Sequence, residues 1–357
     1  MMLHNTDKLS AMLPAFCDAA LILSEENRLY FTEFPATDGA LLVTPYGAVF
    51  YTDSRYTEAA AAKIGAEFVH DSEKMYEELR ALFEEYNVNT VAIENDRITL
   101  ADFEELKNRL PGVDFNPTAA LSRAIEEIRL VKSDAELEKI SAAQRIAEEA
   151  FDHMLGFIRP GMTEKQVQLE LDFYMLSHGA EALSFETIAV AGKKGSMPHG
   201  VPGDNVIQPG DFLTMDYGAV VDGYHSDMTR TVAVGKPSKK QIEVYNTVLE
   251  AQLAGLAALH DGVTGFDADK ASRDVIEKAG YGKYFGHGTG HGVGVEIHEA
   301  PRLSPKSKAT LRTGNVVTVE PGIYLPGEFG VRIEDMAVIT PDGHVGLTHC
   351  EKKLIVL

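Results

Sequence analysis

The sequence predicts a two-domain protein: a small α/β domain over residues 1–125, then a larger α+β domain over residues 126–357 with two pseudo-symmetric halves. Three observations predict it. Short apolar runs alternate with helix-like stretches in the first third of the chain. Long capped helices then come in pairs, followed by strands with short turns. Finally, a ten-residue segment recurs 104 positions later, carrying an acid at the same place each time. A length of 357 residues suits two domains at roughly 150 residues apiece.

The elements can be read in order. Apolar runs at Ala19–Leu23, Ala40–Thr44, Ala48–Thr52 and Thr90–Glu94 read as strands, with the turn Pro45–Gly47 between the second and third. Helix-like stretches lie around Thr57–Ile64, Glu73–Tyr86 and Leu100–Leu110. The domain boundary falls near Ala120–Asp134. Beyond it, Ser133 and Glu136 form a capping box that opens a helix with an apolar stripe of Leu137, Ile140, Ala147 and Phe151. Pro160-Gly161 ends that segment, and Thr163 with Gln166 caps a second helix bearing Val167, Leu171 and Tyr174, stopped at Gly179. Strands follow from Leu183 to Val234; Ser238 with Gln241 opens a third helix, a fourth crosses Phe266–Ala279, and the chain closes in strands and glycine-rich turns.

Composition narrows the function. Acidic residues number 54 against 33 basic, a formal charge of −21, so phosphate-bearing partners such as nucleic acid and anionic membrane are repelled. Two cysteines, Cys17 and Cys350, cannot build a disulfide framework. The N-terminus lacks the basic-then-apolar pattern of a secretion signal, and no apolar run reaches membrane-spanning length. A soluble cytoplasmic protein is the expectation.

The recurring segment is Pro209–Gly218 against Thr313–Gly322, with glycine, threonine, an acid and glycine at equal spacing. Each copy is followed by a turn and a return strand carrying a second acid: Asp216 then Asp227 in the first, Glu320 then Glu334 in the second. This points to two hairpins facing one another. A carboxylate buried alone costs several kcal/mol or takes up a proton. Four converging carboxylates repel, and Arg230 and Arg332 together cannot neutralise them. Two divalent cations can.

The run from Phe285 to Glu299 adds His287, His291 and His298 among glycines at 286, 288, 290, 292 and 294, which would leave room for ions or substrate and permit unusual backbone angles. It contains neither a dinucleotide-binding fingerprint nor an HExxH zinc motif. His199 sits upstream on a turn between Pro198 and Gly200, a usual place for a catalytic group. Oxygen donors with one imidazole suit Mn²⁺, Co²⁺ or Fe²⁺ at least as well as Zn²⁺. No GxSxG elbow or catalytic cysteine motif competes, so metal-assisted hydrolysis is the reaction class.

With these residues in place, the chain resembles the pita-bread metallopeptidases: Xaa-Pro aminopeptidase, prolidase and, more distantly, methionine aminopeptidase. The resemblance spans nearly the whole length. Residues from about 130 resemble the catalytic domain, and Asp38–Val43 with Thr52–Tyr56 resemble the creatinase-type N-terminal domain. It implies a metal set of Asp216, Asp227, His291, Glu320 and Glu334, with Asp227 and Glu334 bridging two ions, Asp216 on one ion, and His291 and Glu320 on the other. His199 and His298 would contact substrate and stabilise the tetrahedral intermediate, and Glu334 would also transfer protons. His287 matches a substrate-side histidine of the proline-specific members, with Tyr324 and Arg332 near the site. Lys193 and Lys194 stand where relatives often carry small or polar residues, which bears on the substrate entrance.

The implied activity is hydrolysis of the bond between an N-terminal residue and a following proline, as an Xaa-Pro aminopeptidase, using two divalent ions with manganese foremost and cobalt, zinc or iron as alternatives. The alternative is an Xaa-Pro dipeptidase confined to dipeptides, for which Arg302 is the candidate cation for the substrate carboxylate. A rival of another class is a peptide-binding protein of the same fold without catalysis. Relatives of this size imply a homodimer. Roles for Arg55 and Tyr56 are left open.

Overall fold

Strand-forming apolar runs become buried strands, and capped amphipathic stretches become the helices behind them. The computed structural model describes residues 3–357, apart from the side chain of Pro14. The chain divides into two units, one ending at Arg129 and one beginning at Leu130.

The first unit runs α1 (Thr6–Met12), β1 (Ala19–Ile22), α2 (Glu25–Thr32), β2 (Ala40–Thr44), β3 (Gly47–Thr52), α3 (Thr57–Ile64), β4 (Val69–Asp71), α4 (Met75–Glu85), β5 (Thr90–Ile93), α5 (Leu100–Arg109), β6 (Asp114–Asn116) and α6 (Ala120–Leu130). Its strands form one mixed sheet in the order β4-β3-β2-β1-β5-β6. Leu21, Leu42, Val91 and Ile93 on that sheet meet Leu79, Phe83 and Leu106 of the helices in one core. Sequence periodicity passes over α2 because its buried face is partly polar. Asn27 donates to Glu94 Oε1 at 2.6 Å, and Glu94 also accepts from the backbone N–H groups of Leu23 and Ser24 at 2.7 and 3.0 Å. Glu94, read as the end of an apolar run, is thus a buried carboxylate at the positive end of that helix. The segment assigned to the domain boundary is itself largely helical, as α6.

The second unit opens with α7 (Asp134–Phe157) and α8 (Glu164–Ser177), each behind the expected capping box. Then come β7 (Ala182–Leu183), β8 (Ile188–Ala191), β9 (Asp211–Tyr217), β10 (Ala219–Val221), β11 (Tyr224–His225) and β12 (Met228–Val234). The second half repeats the plan with α9 (Lys239–Ala257) and α10 (Gly265–Lys278), then β13 (Gly290–Gly292), β14 (Glu299–Leu303), β15 (Val316–Val319), β16 (Gly322–Leu325), β17 (Phe329–Arg332), β18 (Asp335–Thr340) and β19 (Gly343–Gly346). Helices α7 and α8 pack Phe151, Met154, Val167 and Leu171 onto Leu213, Met215 and Val232 of the β8-β9-β12 sheet. Leu256 of α9 and Ala268 of α10 meet Val317, Val319 and Ala337 of the β15–β18 ladder. Two helix pairs, each backing its own antiparallel sheet, give the two pseudo-symmetric halves that the repeated segment predicts, in the α+β class expected.

The halves meet at an antiparallel bridge between Thr229 and Glu334. Arg230 clamps that seam from behind. All of its donors are engaged: with the carbonyls of Thr229 and Glu334 at 2.9 and 2.6 Å, with Asp335 Oδ1 at 2.8 Å, and with the carbonyls of Glu351 and Cys350. The ion pair is buried at both ends, with side chains 1% and 2% exposed. Removing one partner of such a pair strands the other in low dielectric. Arg230→Met is therefore expected to lower stability by about 3–5 kcal/mol in urea unfolding; a loss near zero would show that the clamp is dispensable.

Candidate metal centre

Strand alternation explains which side chains gather at the seam. Side chains two apart share a face, so Thr214 and Asp216 point together, as do Asp227, Thr229 and Thr231, Thr318 and Glu320, and Arg332 and Glu334. The four acids and Arg332 on these faces line one cavity of about 740 Å³. The five expected metal ligands all border it, together with His199, His287, His298, Arg302, Tyr324 and Arg332. Every site residue picked out from sequence is therefore brought to one place.

At its floor, ligand-type atoms of Asp227, His291 and Glu334 lie within 4.8 Å of one another, and all three residues are buried. His291 Nε2 stands 3.5 Å from both Asp227 Oδ2 and Glu320 Oε1. Its Nδ1 lies 3.0 Å from the carbonyl of Gly292. A carbonyl only accepts, so Nδ1 carries the proton and Nε2 turns a lone pair toward two carboxylates. Burial pushes the His291 pKa down to about 3, which keeps the ring neutral. A lone pair facing carboxylates calls for a cation between them.

The carboxylates agree. Asp227 and Glu334 are pushed well above the ordinary range, first by burial and then by neighbouring acids. Burial, with Asp216 beside it, raises Glu320 to about 8. Thr229 Oγ1 donates to Glu334 Oε2 at 2.6 Å and leaves the other oxygen of that carboxylate for another partner. Asp216 pairs through Oδ2 with the Arg332 guanidinium, while its buried Oδ1 has no partner. Arg332 pairs with only one of the four carboxylates, and the other three face a neutral imidazole. The donor set and the orphaned Asp216 oxygen fit hard divalent cations.

The two arginines divide by parity. Arg332 faces the cavity, donating from Nε to Thr229 Oγ1 at 3.0 Å and from Nη1 to Tyr324 OH at 2.8 Å. Arg230 lies one position off the Thr229 face and turns instead to Asp335, itself one position off Glu334. Tyr324 OH in turn lies 2.9 Å from His287 Nε2, and His287 Nδ1 lies 2.8 Å from the Gly288 carbonyl. His287 therefore donates from Nδ1 and accepts from Tyr324. Burial and the nearby Arg332 lower its pKa to about 4. His199 and His298 are exposed to the cavity. The rings of His298 and His291 meet edge-on at 4.5 Å.

The glycines of the 286–294 run differ from expectation. None of the five has a left-handed φ. A Cβ at Gly290 would stand 2.0 Å from the Thr318 carbonyl oxygen, and one at Gly292 would stand 2.1 Å from that of Ala300. Glycine here lets β13 sit close against its neighbours, which places His291 over Thr318, whose hydroxyl accepts the His291 N–H at 3.1 Å.

Thr229 and Thr318 are site residues that sequence reasoning missed: Thr229 lies two positions from Asp227 and donates to Glu334, and Thr318 lies two positions from Glu320, which it hydrogen-bonds. Asp269 and Arg273 were missed as well. They form a pair on α10, with Asp269 buried and Arg273 half-buried, that holds the His287 segment: Arg273 donates to the His287 carbonyl at 2.7 Å, and Asp269 accepts the Thr289 N–H at 2.9 Å.

Comparison with known proteins agrees with this geometry. Residues 138–341 match the model of metallopeptidase family M24, and residues 9–131 that of the creatinase/prolidase N-terminal domain. An Xaa-Pro dipeptidase of Pyrococcus horikoshii is 37% identical over 339 residues, 95% of this chain and 94% of that protein. The solved structure of an Xaa-Pro dipeptidase from Bacillus anthracis superposes with a TM-score of 0.94 at 42% identity, covering 99% of each chain. An X-Pro aminopeptidase from Thermotoga maritima superposes with a TM-score of 0.92 at 34% identity, covering 99% of this chain and 100% of that one.

The buried acids make a pH prediction. In metal-free protein Glu320, with a pKa of about 8, and the raised Asp227 and Glu334 keep protons that unfolded carboxylates release at their ordinary values of 4.5 for glutamate and 3.8 for aspartate. The folded state then binds more protons, so stability falls as pH rises toward 8. His291 and His287 oppose this only below the ordinary imidazole value of 6.5. Calorimetry of metal-free protein should therefore show the melting temperature falling between about pH 6.5 and 8, and Mn²⁺ should flatten that slope; a metal-free melting temperature that rises across this window would contradict burial of the three acids.

Proposed function

The chain belongs to metallopeptidase family M24, and from that premise we propose that it is an Xaa-Pro dipeptidase, hydrolysing the bond between an N-terminal residue and a C-terminal proline. The observation that carries the hydrolase reading is the convergence of four carboxylates and the lone pair of a neutral His291 on one cavity floor. The sequence alone ranked the aminopeptidase first. Relatives named as Xaa-Pro dipeptidases, at 37% and 42% identity, support the reverse order.

Asp227 and Glu334 would hold both ions, Asp216 one of them, and His291 with Glu320 the other. Bound there, two divalent ions would supply Lewis acidity and an activated water near neutral pH. The chain's own residues do the rest. Arg332 fixes Asp216, and Thr229 fixes Glu334, so both carboxylates present defined oxygens. His199 and His298, at the cavity surface, would hydrogen-bond the carbonyl oxygen as charge develops on it. Glu334 would pass a proton to the proline nitrogen as it leaves. A prolyl amide has no N–H, so selectivity comes from the space beside His287 and Tyr324 rather than from a hydrogen bond to that nitrogen.

Arg302 supplies the dipeptide preference. It is exposed on the cavity wall, and its charge acts on Glu320, His291 and His298. A guanidinium so placed would pair with the free carboxylate of a dipeptide.

Chelation should abolish hydrolysis of Ala-Pro and Mn²⁺ should restore it, while Asp227→Asn should lower bound metal measured by mass spectrometry; full turnover in chelator would refute metal dependence. Arg302→Met should raise KM for Ala-Pro by about ten- to a hundredfold, the worth of one charge-assisted hydrogen bond, and change KM for a longer Ala-Pro peptide little. Faster cleavage of the longer peptide by the unmodified enzyme would return the reading to an aminopeptidase.

A further inference from the structure

One carboxylate outside the metal centre has its hydrogen bonds concentrated on a single loop. Glu164, the first residue of α8, is fully buried. Oε1 accepts the Ala191 N–H at 2.8 Å and the Asn205 side-chain amide at 2.9 Å; Oε2 accepts the Lys194 ammonium at 2.8 Å and the Gly203 N–H at 3.2 Å. All four donors belong to residues 191–205. That stretch leaves the sheet at the end of β8, carries Pro198, His199 and Gly200 on the cavity wall, and returns to the start of α8.

The bonds join the loop's two stems. Ala191 is on the outgoing side, Gly203 and Asn205 are on the returning side, and Asn205 also donates to the Ala191 carbonyl at 3.3 Å. Main-chain bonds from the Glu164 and Lys165 N–H groups to the Asn205 and Gly203 carbonyls, both at 3.0 Å, fasten the returning stem to the helix. On its other side the loop lies against β17, where a Cβ at Gly330 would stand 2.0 Å from the Gly195 carbonyl oxygen. His199 therefore projects from a loop tied at its base and backed by a strand.

We infer that Glu164 is a positioning residue for the reaction, acting with Lys194 to hold His199 at the cavity. The inference rests on the reading of His199 as a group that contacts substrate. It gives Lys194 a structural role, since its ammonium faces the buried Glu164 carboxylate rather than the substrate entrance. The carboxylate is fully buried while its Lys194 partner is 26% exposed, and the other three donors, from Ala191, Gly203 and Asn205, lie on both stems of the loop. Tying two stems beneath a substrate-facing histidine is what such a pair supplies, and displacement of a catalytic group by about 1 Å can cost roughly a hundredfold in rate.

A double-mutant cycle on the Mn²⁺-loaded enzyme with Ala-Pro tests this. Lys194 is 26% exposed, so Lys194→Met is the gentler lesion, with Glu164→Gln as the second. Lys194→Met should lower kcat and kcat/KM together by about ten- to a hundredfold, and Lys194→Arg should stay within about twofold. In a His199→Ala background, Lys194→Met should cost less than about twofold more, because its route of action is gone. Equal losses in both backgrounds, or no loss in either, would overturn the inference. A second readout needs no turnover. In substrate-free protein the His199 ring proton signals, assigned with His199→Ala, should shift or broaden in Lys194→Met, and an unchanged spectrum also overturns it. Absence of Ala-Pro cleavage by the unmodified enzyme would instead count against the dipeptidase reading, leaving the ring signals to decide the role of Glu164.

Discussion

Mutual repulsion among four inward-facing carboxylates is the constraint on which the rest of the second unit depends. Asp216, Asp227, Glu320 and Glu334 come from two hairpins whose antiparallel ladders put them on facing surfaces. In a low-dielectric cavity such charges cannot all remain ionised without cations. Burial and the neighbouring acids therefore push Asp227, Glu320 and Glu334 toward protonation in the metal-free chain, and Asp216 pairs with Arg332. Everything around the floor works against that repulsion. Helices back each sheet, Arg230 locks the seam from the far side, and Thr229 and Thr318 restrain the donors from within.

Much of this was legible because it is periodic. The ten-residue echo with its two pairs of acids stated the pseudo-symmetry, and the capping boxes at Ser133, Thr163 and Ser238 fixed three helix starts that the structure reproduces. Polar positions two apart on a strand must share a face, so Thr229 beside Asp227 and Thr318 beside Glu320 were readable in principle. The same parity separates Arg332, which faces the acids, from Arg230, which does not. Treating both arginines as near the acids ignored that one-residue offset.

What sequence could not give was the partnering of charges distant along the chain. Glu94 ends a strand-like run, and nothing local marks it as the anchor of α2 nearly seventy residues earlier. Glu164 reads as an ordinary first-turn acid, and Asp269 with Arg273 as a surface pair spaced four apart on a helix. Each becomes special only through its tertiary neighbours. Lys193 and Lys194 illustrate the converse. As sequence they bear on the entrance, yet Lys193 is exposed while Lys194 turns to a buried carboxylate.

These anchors also show how the site distributes rigidity. The metal-type donors on the acid floor hang from strands or the residues flanking them, where main-chain ladders fix position. His199 and His287 hang from loops, and each loop is gripped by a carboxylate and a cation: Glu164 with Lys194 for one, Asp269 with Arg273 for the other. The grips differ in detail, because Lys194 belongs to the loop it helps to hold, whereas Arg273 reaches out from α10 to the carbonyls of Phe285 and His287. Both leave the histidine ring itself free of the grip. A buried carboxylate with a partly exposed cation holds such a loop from beneath without filling the cavity. A site that must admit a peptide and still present imidazoles at set positions needs that separation: charge pairs beneath the loops, open space above them.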